Sequence, residues 1–311
     1  MDSNTTINIA LCWNDTDGQY SKFALTTIVS ILEHNRNNKL AFFIIMDIPA
    51  ESNAITIVQD TIQEYKQECT IVKPSQNIKI KEIINFFNMH NSSTFDVGAY
   101  YRLLLPMVLP SYVNKIIYLD CDIIVNTSLS KLWDIDFEGK CIIGVKDKYK
   151  PKYSSNSYDY GKAYINSGVL MLNVDKIRNL DFINLVKDSL IKLNDQIPNA
   201  DQDVINAIFA YEKKIIPKSY NYLITLTNKD KYSDAYIYHY LKPKVFNYNP
   251  CFMHKKYIQQ YYKYLDLTPY KGWRPKRDII NSIRYGTLSG YKTNSYLRKI
   301  AVRLGLKDRS L

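Results

Sequence analysis

The chain lacks the paired cysteines that staple small secreted folds. Its five cysteines, Cys12, Cys69, Cys121, Cys141 and Cys251, are odd in number, and no two are spaced C-x-x-C. A disulfide framework and a structural zinc site are therefore not expected, and a reducing cytosol is the natural setting. No apolar run reaches the 18 residues or more that a membrane-spanning helix needs. The start, Met1 to Thr6, has no basic segment, and the apolar run behind it, Ile7 to Trp13, is short and broken by Asn8. A signal peptide is not expected either. Neither G-x-G-x-x-G nor G-x-x-x-x-G-K-[ST] is present, which removes the main support for a dinucleotide or P-loop site. Histidine is scarce, with only His34, His90, His239 and His254.

What is present supports a full core: 46% of the 311 residues are hydrophobic. The net charge of +11 is confined to one end. Residues 255–311 carry 14 Lys or Arg against 3 acids, and the remainder holds 27 of each sign. A neutral body with a basic tail points to an anionic surface or polymer as the tail's partner.

Apolar spacing predicts strands at Ile7 to Trp13, Leu40 to Met46, Thr70 to Val72, Cys141 to Val145, Gly168 to Leu172 and Tyr236 to Tyr240. Helices are predicted at Phe23 to His34, Ile55 to Tyr65, Ile80 to Met89, Phe182 to Leu193 and Val204 to Tyr211. Strands that read apolar on both faces and alternate with helices imply an α/β fold with a mainly parallel central sheet. Ligands of such sheets bind at the carboxyl ends of the strands.

One strand in this pattern is unusual. Lys115 to Val125 reads as a buried strand interrupted by Asp120 and Asp122. On an extended chain, positions two apart share a face, so two carboxylates would project together from apolar surroundings. A divalent cation such as Mg²⁺ or Mn²⁺ would resolve that cost, and solvation at a strand end is the alternative. Three further stretches carry polar chemistry. Asn166-Ser-Gly168 precedes an apolar strand and offers a close backbone approach, or an ordinary bulge. Asp201-Gln202-Asp203 stands before a helix; Asp203 suits a cap, leaving Asp201 and Gln202 for a cleft. His239 ends a strand and is followed by Lys242-Pro-Lys244, which could supply a metal ligand and a phosphate-binding cation. The loop from Asn14 to Gln19 is rich in acid and amide groups and suits a base or ribose more than a phosphate.

In this order, Tyr118-Leu-Asp120-Cys-Asp122, Asn166-Ser-Gly168, Asp201-Gln202-Asp203-Val-Ile-Asn206 and His239-Tyr-Leu-Lys-Pro-Lys244, with Arg102 in Ala99-Tyr-Tyr-Arg102-Leu, resemble glycosyltransferase family 8 over residues 7 to 247. The resemblance implies the GT-A fold and retaining transfer of a hexose, glucose or galactose, from a UDP-sugar to a saccharide or glycolipid acceptor, as in bacterial lipopolysaccharide synthesis. It implies that Asp120, Asp122 and His239 hold Mn²⁺ (or Mg²⁺) against the donor diphosphate and that Lys244 holds a phosphate. Asp17 and Tyr20 match a uridine-binding D-x-x-Y with Asn14 close by, and Cys12 and Cys121 fall in the donor-binding set. Arg102, Asn166 and Asp201 would contact the donor sugar, and Gln202 would lie at the anomeric carbon, making Gln202, Asp201 and Arg102 the catalytic set. Lys242 and the run Lys244-Val-Phe246 depart from the family's usual Gly and Lys-Pro-Trp. An inactive nucleotide-sugar-binding homologue is one alternative. A nucleic-acid-binding protein is another, though it leaves the paired acids unexplained and no nucleic acid is expected.

The division expected is a catalytic domain over 1–250 and a basic aromatic helical tail over 251–311. Leu297, Ile300, Ala301 and Leu304 share one helical face, with Arg298, Lys299, Arg303 and Lys307 off it. This is the pattern of a helix lying in a membrane interface, and it implies a cytoplasmic protein peripheral on the inner face of the cytoplasmic membrane. The alternative is that part of the tail packs on the body with its charges solvated.

Overall fold

The computed structural model describes residues 5–15, 19–48, 52–90, 97–148, 160–161, 163–193, 199–225, 234–242 and 255–275. Among these, the strands are β1 (Ile7–Asn14), β2 (Leu40–Asp47), β3 (Glu68–Val72), β4 (Lys115–Leu119), β5 (Ile123–Val125), β6 (Ile142–Lys146), β7 (Ile165–Asn173), β8 (Lys213–Ile216), β9 (Tyr222–Thr225) and β10 (Ile237–Lys242). The α-helices are α1 (Ser21–His34), α2 (Ala54–Glu64), α3 (Ile78–Met89), α4 (Leu105–Val108), α5 (Ser130–Trp133), α6 (Val174–Arg178), α7 (Phe182–Leu193), α8 (Asp201–Ile208) and α9 (Lys255–Leu265).

Seven strands form one sheet in the order β3-β2-β1-β4-β7-β6-β8. It is mainly parallel; β7 alone runs antiparallel, to both β4 and β6. The strands read as continuous apolar runs because both faces are covered. Ile9, Leu11, Phe42, Ile44, Ile117 and Leu119 pack under α1 and α2. The alternate residues Ala10, Phe43, Tyr118, Ile142 and Leu170 pack under α3, α7 and α8. Period-two alternation thus divides each strand between two cores.

The run Lys115 to Val125 is not one strand. The ladder ends at Leu119, the chain turns through Asp120 to Asp122, and Ile123–Val125 enters a second, three-stranded sheet in the order β5-β10-β9. Both halves are buried, so hydrophobicity continues across a change of sheet. His239 lies inside β10 rather than at its end, opposite Ile123. Helix α8 begins at Asp201 itself, and β8, β9 and α9 have no counterpart in the sequence reading.

Helix α9 and the residues after it pack on the body. Tyr257, Tyr261, Tyr264 and Leu265 are buried with Phe23, Ile124, Tyr222, Tyr238 and Tyr240. Residues 255–275 therefore share a core with the body of the fold, whereas the helical face at Leu297 to Leu304 lies outside the described residues. No described helix is long and apolar enough to cross a membrane.

Candidate active site

The turn after β4 brings three candidate ligands together. His239 Nε2 lies 3.2 Å from Asp122 Oδ1 and 3.6 Å from Asp120 Oδ2. One ligand atom from each residue lies within 4.8 Å of the others. Two registers set this geometry. Asp120 N–H donates to Gly168 O at 2.9 Å, extending the β4–β7 ladder, and Tyr240 N–H donates to Asp122 O at 2.9 Å, extending the β5–β10 ladder. Asp122 and His239 are buried, and Asp120 keeps about a fifth of its side chain exposed. Two carboxylates and an imidazole form a donor set that could hold a divalent cation. Gly168 makes room for it: a Cβ there would stand 2.2 Å from His239 Cε1 and 2.7 Å from Asp120 Oδ2.

Arg102 sits behind the acids, projecting from the 3₁₀ segment Val97–Leu104. Its Nη2 lies 3.0 Å from Asp120 Oδ1, and its guanidinium stacks 4.6 Å from the Tyr118 ring centre. Nη1 donates to Ser167 O at 2.9 Å. Burial alone would lower the Arg102 pKa, but the charges of Asp120 and Asp201 drive it well up, so the guanidinium is a permanent cation. Tyr118 also donates from its hydroxyl to Asp120 Oδ1 at 2.7 Å. Asp201 Oδ2 lies 3.1 Å from Arg102 Nε, yet that N–H is directed to Ala99 O at 3.0 Å. The contact is electrostatic, and this buried oxygen receives no hydrogen bond. Burial pushes the Asp201 carboxyl up to about 6; Arg102 opposes the shift and Asp120 adds to it.

Asp201 and Gln202 are held by the start of α8. Asp203 accepts from Asn199 N–H at 2.9 Å and from the Tyr164 hydroxyl, so it secures the helix entry from within the first turn. The residue before the helix, Ala200, has φ 48°, a conformation a non-glycine residue adopts only under strain. Asn206 pairs with both backbone groups of Ile165 at 2.8 Å each and so fixes α8 against β7. Gln202 and Asn166 consequently meet. Asn166 Nδ2 donates to Gln202 Oε1 and to Asp147 Oδ2, and Gln202 Nε2 donates to the same Asp147 oxygen, each at 3.1 Å. Asn221 Nδ2 donates to Asn166 Oδ1 at 2.8 Å, and Asn221 Oδ1 faces His239 Nδ1 at 3.0 Å.

A sequence profile described as glycosyl transferase family 8 matches residues 8–273. The chain belongs to glycosyl transferase family 8. Among curated relatives of this family, the lipopolysaccharide 1,2-glucosyltransferase of Escherichia coli is 29% identical over 76% of this chain and 69% of its own length. The glycosyltransferase GlyF of Streptococcus pneumoniae serotype 4 is 27% identical over 64% of this chain, which spans under half (45%) of GlyF. The crystal structure of the galactosyltransferase LgtC with donor and acceptor sugar analogues superposes with a TM-score of 0.66, at 17% identity, over 85% of this chain and 96% of that one. It supports the GT-A fold expected from the sequence. Membership of family 8 implies a nucleotide-sugar donor and a saccharide acceptor.

In this family 8 chain, the other expected donor-binding residues divide by position. Cys12 and Asn14 lie on β1, with Cys12 buried and its carbonyl facing Cys121 Sγ at 3.7 Å. Tyr20 stands at the entry of α1, where burial, then the nearby Cys121, Asp122 and Asp120, push its hydroxyl pKa well up. Asp17 and Lys244 lie outside the described residues, as does the side chain of Lys242. Asp15, in the same loop, is committed to structure: it accepts from Tyr20 N–H and Ser21 N–H at 2.8 Å each and caps α1. Sequence reasoning did not single out Asp147, Asn221 or Asp15, and it gave Tyr118, quoted in the motif with Asp120 and Asp122, no role of its own. Isolated polar residues in loops carry no periodic signal, and their partners lie far away in the chain.

Proposed function

We propose that this family 8 chain is a retaining hexosyltransferase that takes glucose or galactose from a UDP-sugar and passes it to a saccharide or glycolipid acceptor such as lipopolysaccharide. Mn²⁺ (or Mg²⁺) would be held by Asp120, Asp122 and His239. The observation that carries the reading is the convergence of these three side chains at the end of β4, beside Asp201, Asn166 and Gln202. The names of the E. coli relative and of the LgtC complex support the substrate classes.

A bound divalent cation supplies positive charge where a departing diphosphate gains negative charge; one well-placed stabilising group is typically worth about 3 kcal/mol. The remaining work falls to the chain. Arg102 holds Asp120 and Asp201 apart at fixed positions, one toward the cation site and one toward the sugar. Asp201, beside Arg102 at 3.1 Å, would accept from a sugar hydroxyl. Lys244 would neutralise a phosphate. Gln202 Oε1 already accepts from Ser167 N–H at 3.0 Å and from Asn166 Nδ2 at 3.1 Å. With both lone pairs engaged, this oxygen is a poor nucleophile, which favours front-face transfer, the departing phosphate taking the acceptor's proton, over a covalent enzyme intermediate. Residues 276–311 would hold the enzyme on the anionic inner face of the cytoplasmic membrane.

A panel of UDP-sugars assayed for UDP release with and without Mn²⁺ tests the reading. One donor should be hydrolysed in a Mn²⁺-dependent way, and Asp122→Asn should abolish that turnover with an unchanged circular dichroism spectrum. Full turnover in Asp122→Asn, or no donor hydrolysed, would overturn the assignment.

A further inference from the structure

Two backbone N–H groups dictate the orientation of the amide side chains in the site. Gly168 N–H donates to Asn166 Oδ1 and Ser167 N–H donates to Gln202 Oε1, each at 3.0 Å. A backbone N–H can only donate, so each amide must turn its oxygen toward it. With Asn166 Oδ1 fixed, the Asn221 atom 2.8 Å away from it must be the nitrogen. Asn221 Oδ1 then faces His239 Nδ1 at 3.0 Å, and that oxygen can only accept. Nδ1 therefore carries a hydrogen. In the neutral ring the lone pair is left on Nε2, the atom that faces Asp122 and Asp120. The imidazole tautomer able to ligate a cation is thus set two amide side chains away, by the backbone of β7.

We infer, on the reading of Asp120, Asp122 and His239 as cation ligands, that Asn221 is a positioning residue that presents His239 Nε2 to the cation and ties that site to the side chains facing the sugar. Asn221 is buried, immediately ahead of β9, and its two amide atoms face in opposite directions: Oδ1 toward His239, Nδ2 toward Asn166. Beyond Asn166 the chain of bonds continues to Gln202 and ends on Asp147, the acceptor that both amide nitrogens require. Turning Asn166 over would break its bond from Gly168 N–H and set its oxygen against Gln202 Oε1 and the Asp147 carboxylate. An acceptor placed opposite Asn166 Oδ1 therefore pushes on Asn166 as it stands and, through it, on Gln202.

Two substitutions separate the two ends. Asn221→Ala removes both bonds. Asn221→Asp keeps an acceptor for His239 Nδ1–H but sets an oxygen against Asn166 Oδ1. Mn²⁺ binding is measured without donor, from the electron paramagnetic resonance of free Mn²⁺, and kcat and KM for UDP-sugar hydrolysis are measured at saturating Mn²⁺. Asn221→Ala should weaken Mn²⁺ binding about 10–100-fold, the usual loss for an outer-sphere partner of a ligating histidine. Asn221→Asp should bind Mn²⁺ within a few-fold of the unaltered protein yet lose about tenfold or more in kcat with its UDP affinity unchanged. Unaltered protein that binds no Mn²⁺ refutes the cation-site reading itself. Where the unaltered protein does bind, equal Mn²⁺ affinity in Asn221→Ala overturns the role of Asn221. Equal losses of Mn²⁺ affinity in both variants also overturn it, since Asn221→Asp keeps the acceptor for His239 Nδ1–H on which the role rests. An undiminished kcat in Asn221→Asp overturns the link to the sugar side.

Discussion

Gly168→Ala tests whether the cation site depends on a missing side chain. The backbone of Gly168 is not in the left-handed region, so alanine meets no backbone strain there, and its effect comes from contact alone. The new Cβ would stand 2.2 Å from His239 Cε1 and 2.7 Å from both His239 Nδ1 and Asp120 Oδ2, whereas ordinary contact begins at 3.4 Å. The imidazole would have to retreat by about 1.2 Å, the difference between those two distances. It has little room to do so, being buried, opposite Ile123 in the second sheet and hydrogen-bonded to Asn221. Overpacking of this kind costs about 1–3 kcal/mol of stability. Displacing one ligand by about 1 Å, with Asp120 pushed as well, should cost on the order of 100-fold in catalysis. Cation affinity should fall by at least the 10–100-fold typical of losing a ligand's orienting partner. The assay is Mn²⁺ titration with thermal melting of the metal-free protein. Gly144→Ala is the control: its closest contacts would be the side-chain ends of Ile165 and Leu170, at 2.9 and 3.2 Å, and none would be a candidate ligand, so stability should drop with Mn²⁺ affinity intact. Undiminished Mn²⁺ binding in Gly168→Ala would refute the reasoning.

Asp201 gives a pH signature. Its folded carboxyl is raised from 3.8 to about 6, chiefly by burial, so its contribution to stability is fully present below 3.8 and lost as pH rises through 6. Between pH 4 and 7 in chelator, Asp201→Asn should therefore gain on the order of 3 kcal/mol relative to the unaltered protein, and a pH-independent gap in urea unfolding would contradict this. Lys244→Ala should weaken UDP and UDP-sugar alike, and Gln202→Ala should lower turnover while sparing UDP affinity; equal losses of UDP affinity in the two would refute the placement. A chain ending at Pro275 should still hydrolyse donor but no longer sediment with anionic vesicles, whereas vesicle binding equal to the full chain would exclude the tail as anchor. Cutting at residue 270 is a harsher test, because it removes Trp273, whose ring lies 4.7 Å from Lys22 Nζ and 5.3 Å from Phe23.

The sheet was legible because strands buried on both faces leave continuous apolar runs, and Phe182–Leu193 matches its helical spacing residue for residue. The split at Asp120 to Asp122 was not legible, since burial persists while the hydrogen-bonding partner changes from β7 to β10. β8 opens on two lysines and lies at the sheet edge, so its pattern is mixed. α9 was not read as a helix because its buried face is made of tyrosines between basic residues, a composition that placed it in a membrane-associating tail, with packing on the body as the alternative. At the site, Asp120, Asp122, His239, Asn166 and Gln202 stood out through their setting in ordered motifs. Asn221 and Asp147 had no such setting: Asp147 meets Gln202 across 55 positions, and only folding shows it.

The three candidate ligands also divide among separate pieces of the fold. Asp120 closes the seven-stranded sheet, Asp122 belongs to the joint, and His239 rides on the three-stranded sheet, 117 positions after Asp122. No partly folded form lacking β10 contains the constellation. The entropy of closing so long a loop must be met before any ligand benefits. A cation bound there would act as a rivet between the two sheets, stabilising only the completed molecule, by about 2.7 kcal/mol at a hundredfold excess over its dissociation constant. Cation uptake during refolding should consequently not precede the pairing of β10 with β5, serving as a clock for the moment at which the site is complete.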